Sequence, residues 1–137
     1  MSDHDILDRA VSAEYAAIYA YETLIPRLDE RAAEAARGVL ARHREARAEL
    51  FDLYGDEGWE VPAPESAYDL ANDSGAGDFL VSVERRTAAV YRSGCAAESP
   101  VREVCVPSLR RCAANGALLK AGLGKSIENP WPGRERP

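Results

Sequence analysis

Apolar residues recur every three or four positions in four separate stretches of the chain, the period of a helix that buries one face. In the first stretch the inward stripe reads Leu7, Val11, Glu14, Ile18, Tyr21 and Ile25. Ser2, followed three residues later by Asp5, supplies a capping-box start, and Pro26 ends or kinks the helix. The second stretch begins near Asp29, a good N-cap, and its stripe reads Ala36, Val39/Leu40, His43, Ala46, Leu50 and Leu53, with Gly55 as the expected stop. The third opens near Gly77 or Asp78 and presents Leu80/Val81, Glu84, Ala88, Tyr91 and Cys95. The fourth follows a break at 98–100 and covers roughly 101–123, with Pro107 expected to kink it or mark its true start.

The links between these helices are unequal. The first and third are short. The second, "GDEGWEVPAPESAYDLANDSGAGD", is rich in Gly, Pro, Asp and Ser, and exceeds the ~2–8 residues usual between helices of a bundle. Its length suits a crossover from one end of the bundle to the other. The pattern therefore predicts an all-α four-helix bundle of two helical hairpins joined by one long crossover. We assign residues 1–125 to the bundle and the Pro-rich "SIENPWPGRERP", 126–137, to an extended tail that Trp131 could dock.

The chain repeats itself. "SAEYAAIYAY" and "SVERRTAAVY" each place Ser two residues before Glu and Tyr seven after it, so Glu14 matches Glu84 and Tyr21 matches Tyr91. Seven residues is close to two helical turns, which puts each Tyr on the face of its Glu. Each acid lies mid-stripe, among apolar neighbours. A carboxylate there must be paired, hydrogen-bonded, protonated or bound to a metal. Two such acids at equivalent positions are expected to face each other across the core.

These features, together with "ARHREARAEL" and "PAPESAYDL", give the chain a resemblance to the ferritin-like superfamily, and in particular to a bacterial ferritin-like domain family of unknown function. The resemblance implies one Glu on the first and third helices and an E-x-x-H on the second and fourth, which in metal-binding members together hold two iron or manganese ions. Glu14, Glu84 and His43 fall on three of those positions. Leu40 stands where a bridging Glu is implied, and the fourth-helix motif reads "CAAN", Cys112 to Asn115. No Glu or His occurs from Val104 to Ile127, so no shift of register restores the missing ligands. Two carboxylates and one imidazole cannot offset two dications in a low dielectric.

The expectation is a degenerate di-metal site: a polar core of Glu14, Tyr21, His43, Glu84 and Tyr91, in which Tyr21, Tyr91, His43 or Arg85 satisfies the acids and a His43 imidazolium between two carboxylates would replace the metals. It predicts a non-catalytic binding or structural protein without a cofactor. The alternative is a metal-dependent oxidoreductase with one Fe or Zn ion on Glu14, His43, Glu84 and Cys112. A third reading is a small-molecule pocket between helices, lined by a cluster of Tyr15, Tyr19, Tyr21 and Tyr91.

Totals narrow the partners. The 137 residues are 46% hydrophobic and 29% charged, with a formal charge of −6 and no basic stripe, which argues against nucleic acid and anionic membranes. "MSDHDILDRA" has no apolar signal core, no apolar run reaches ~20 residues, and Cys95, Cys105 and Cys112 form no CxxC. A cytoplasmic protein with reduced thiols is expected. Tyr15 and Tyr19, off the core stripe, are expected to pack on the crossover or on a second subunit, and the resemblance implies a homodimer. His4 is expected to be exposed in the first turn, and Trp59 to anchor the crossover.

Overall fold

The computed structural model describes residues 2–70 and 75–124. All regular structure in them is helical: α1 (Asp3–Leu24), α2 (Glu30–Glu57), α3 (Ala76–Gly94) and α4 (Val101–Gly122). The expected tail at 126–137, with Trp131, lies outside the described residues.

Local chemistry sets the ends of the helices. Ser2 and Asp5 form a complete capping box at the start of α1, each side chain bonding the other's backbone N–H. Pro26 follows the end of α1 and sits in a 3-10 turn, Ile25–Arg27. Asp29 caps α2 by accepting from the Ala32 N–H at 2.9 Å. The stop of α2 is Gly58 rather than the expected Gly55. Gly58 takes the left-handed φ of 71°, and the next N–H, on Trp59, returns to the Tyr54 carbonyl at 2.9 Å. Gly55 stays helical because a glycine interior to a helix costs only ~1 kcal/mol, whereas the reversal needs a residue that tolerates positive φ. Pro107 lies inside α4 and does not mark its start.

Helix α1 packs on α2 and α3, and α4 packs on α3 and α2, so the helices enclose a common core. That core has two apolar ends. One holds Ile6, Leu7, Val11, Leu50, Tyr54, Val101 and Cys105. The other holds Ile18, Leu24, Val39, Leu40, Leu80 and Leu119. Every helix contributes a buried polar residue at the level between the two: Glu14, His43, Glu84 and Asn115. The molecule is thus built as two hydrophobic plugs separated by a polar layer.

The described part of the connection after α2, residues 58–70, packs on this body. Trp59 stacks on His4, ring centroids 4.3 Å apart, and meets Tyr54 edge-on at 5.6 Å. His4 is accordingly half-buried, not the exposed residue expected from its place in the first turn. Tyr15 donates its hydroxyl to the Pro62 carbonyl at 2.9 Å, and Tyr19 packs on Tyr68 at 5.5 Å. The crossover engages both tyrosines.

Packing is tightest where α3 meets α4. Gly94 is buried, and a Cβ there would collide with Cys105 Sγ and lie 3.2 Å from Ile6 Cγ2. Gly94→Ala should destabilise the fold by about 1–3 kcal/mol in denaturant unfolding, and adding Cys105→Ala should recover part of the loss. Wild-type stability in the single variant would contradict this packing.

Candidate functional site

The polar layer is a closed hydrogen-bond network. His43 Nδ1 lies 2.6 Å from Glu14 Oε1, and His43 Nε2 lies 2.7 Å from Glu84 Oε2. Tyr21 donates to Glu84 Oε2 at 2.6 Å, and Tyr91 donates to Glu14 Oε2 at 2.7 Å. None of the five side chains is more than 3% exposed. The sequence placed all five in one polar core, and the geometry brings all five together.

The tyrosines bind crosswise. Seven helical residues rise ~10.5 Å, too far for Tyr21 to reach Glu14 or for Tyr91 to reach Glu84. Because α1 and α3 run antiparallel through the layer, Tyr21 stands level with Glu84 and Tyr91 with Glu14. Each copy of the repeat therefore supplies the acid that the other copy's phenol satisfies. The imidazole bridges the two halves.

Charge follows from this geometry. A neutral imidazole has one nitrogen that can only accept, and it would face a carboxylate oxygen at under 3 Å. Both nitrogens can donate only in imidazolium. Burial opposes the charged ring, but hydrogen bonds and the negative charge of Glu14 and Glu84 outweigh it and hold the His43 pKa up at about 10. Burial, then the neighbouring carboxylate, pushes both Tyr21 and Tyr91 well above the ordinary phenol value, so they remain donors.

The fourth helix contributes least. Cys112 is buried, and burial together with the charges of Glu84 and Glu14 raises its thiol, which favours SH over thiolate. Cys105 is pushed up to about 11 by burial. In the layer, Glu84 Oε1 and Asn115 Oδ1 have no hydrogen-bond partner among the described residues. Arg85 does not join the acids; it is exposed on the outer face of α3. Nor do the four tyrosines form one cluster: Tyr21 and Tyr91 lie in the layer, while Tyr15 and Tyr19 pack under the crossover.

The donor set does not fit a pair of metal ions. Leu40, one turn before His43 on α2, is packed in the apolar core and offers no ligand, and α4 offers a thiol, Cys112, and an amide, Asn115. Among the described residues no three His, Cys, Asp or Glu side chains are arranged to hold a metal. No helix of the described residues is long and apolar enough to cross a membrane.

A family model described as a domain of unknown function, DUF4439, matches residues 7–136. The chain belongs to this family. It is also similar to the crystal structure of a conserved hypothetical protein, rv2844, from Mycobacterium tuberculosis, with 22% identity, a TM-score of 0.79, and coverage of 95% of this chain and 96% of that one. Likeness at that identity speaks to the fold alone. No curated protein matches the chain.

This DUF4439 chain carries a second, partly buried polar contact that its sequence pattern did not single out. Tyr54, fully buried, donates to Asp8 Oδ1 at 2.6 Å, and His4 Nε2 lies 3.5 Å from the same oxygen. The available signal was Tyr54 at one turn beyond Leu50 on the stripe of α2. Without the fold, nothing showed that Asp8 stood opposite.

The network fixes a pH dependence. Free histidine titrates near 6.5, so the unfolded chain sheds this proton first. The His43 contribution is complete below pH 6.5 and is lost as pH rises to about 10. Stability should fall across that window, by at most about 1.4 kcal/mol per pH unit from this group. His43→Gln should lose more than about 3 kcal/mol at pH 7 and show a flatter profile. A wild-type urea-unfolding profile no steeper than the variant's would contradict an imidazolium at this position.

Proposed function

We propose that the protein is a non-catalytic helical bundle of ferritin-like architecture, serving as a binding or structural partner. In this reading the chain consists of two helical hairpins joined by the crossover, and the Glu14–His43–Glu84 network occupies the place of an ancestral di-metal centre. The observation that carries it is the engagement of both imidazole nitrogens by carboxylates. The imidazolium supplies, from within the chain, positive charge that metal ions would bring. The two phenols supply the donors that metal-bound water would otherwise provide.

Nothing in the layer is poised for turnover. A general acid or base works best with a pKa near the operating pH, and here the His43 proton is held too tightly while the tyrosines and Cys112 hold theirs tighter still. A homodimer belongs to the same reading and rests on the ferritin-like resemblance, since Tyr15 and Tyr19 are engaged by the crossover.

A second reading keeps a single Fe or Zn ion on Glu14, His43, Glu84 and Cys112. The unpartnered Glu84 Oε1 and the nearby Cys112 thiol favour it. It would require His43 to give up a carboxylate and Cys112 to deprotonate against its surroundings.

Elemental analysis of protein purified without chelators separates the two. The leading reading expects far less than one iron, manganese or zinc per chain, and no change in metal content in His43→Ala. A stoichiometric metal that disappears in His43→Ala would establish the second reading.

A further inference from the structure

Outside the polar layer, a groove of about 530 Å³ runs between α3 and α4. Its size falls within the range of small-molecule sites, roughly 300–1,000 Å³. Val81, Ala88, Leu109 and Ala113 give it an apolar lining. Arg85, Arg92 and Arg110 also line it. Arg85 and Arg92 lie seven residues apart on α3 and so share a face. All three arginines are exposed, and among the described residues none of their guanidinium groups makes an ion pair or a side-chain hydrogen bond. Other exposed arginines of the chain do, as Arg37 to Glu30 and Arg44 to Glu22 show. In a chain of net charge −6, three unpaired guanidinium groups around one apolar groove form a local positive field.

We infer that this groove binds a small organic oxyanion, its phosphate or carboxylate head held by Arg85, Arg92 and Arg110 and its apolar body laid against Val81, Ala88, Leu109 and Ala113. Guanidinium groups recognise such heads by paired N–H donors. The position of the head is constrained from behind. Glu84 is the single acid among the lining residues, and its charge repels an anion from the floor. The head therefore stays at the arginine rim. Gly116 keeps the floor open, since it presents no side chain between α4 and Glu84.

The test is isothermal titration calorimetry of the full-length chain at low ionic strength with phenyl phosphate, benzoate and inorganic phosphate. At least one of the two aromatic anions should bind at a single site, at least about tenfold tighter than inorganic phosphate. Which of them is tighter tells phosphate from carboxylate recognition. Arg92→Glu with Arg110→Glu should weaken binding at least tenfold, and Arg92→Gln with Arg110→Gln should act in the same direction if charge reversal lowers the melting temperature. Ala113→Phe, at an exposed position, should weaken the aromatic anions and leave inorganic phosphate unaffected. Arg102→Glu, exposed and outside the groove, should change nothing. Absence of binding by both aromatic anions would overturn the inference. So would equal weakening by Arg102→Glu, or wild-type affinity in the Arg92/Arg110 variants.

Discussion

A positive charge held between two carboxylates inside the bundle is the constraint on which the rest of the architecture turns. Removing ions from water is expensive, and the cost is tolerated only when partners are close and lone pairs are filled. Here two carboxylates, one imidazolium and two phenols are joined by four hydrogen bonds of 2.6–2.7 Å. The layer also fixes helix register. Sliding α1 along α3 by one turn would part Tyr21 from Glu84 and Tyr91 from Glu14 together, leaving buried polar groups unpaired at once. The two apolar plugs above and below would tolerate such a slip far better, because aliphatic packing is less directional.

The arrangement is unsymmetrical in a way that has consequences. Glu14 uses both oxygens, whereas Glu84 takes two donors on one oxygen and leaves the other without a partner. Asn115, buried on α4, likewise has an oxygen with no hydrogen-bond partner among the described residues. The internal repeat is therefore complete in its acids and tyrosines and incomplete in its third member. One imidazolium serves both halves. Cys112, Glu84 and Gly116 line the groove between α3 and α4.

Much of this could be read in the sequence because it depends on helical periodicity and on local capping. Ser2, Asp5, Asp29 and the mid-stripe placing of Glu14, His43 and Glu84 all follow from spacing within single helices. What escaped depends on relations between helices. The crosswise pairing of Tyr21 and Tyr91 needs the antiparallel register, and the heptad alone suggested only a shared face. Arg85, one residue after Glu84, lies about 100° around the helix and so points away from the layer. Gly55 and Gly58 could be told apart only by which one reverses the chain. His4 is sheltered by Trp59, a partner more than fifty residues away. Asp8 and Tyr54 met for the same reason, through the α1–α2 contact.

The most direct test of the central charge is the protonation state of the His43 ring, read by nitrogen NMR of specifically labelled histidine in the folded protein at pH 7.5 to 8.5. The account predicts that both ring nitrogens carry protons across this range, with both N–H signals protected from solvent exchange. A neutral His43 ring with a single protonated nitrogen at pH 7.5 would contradict it.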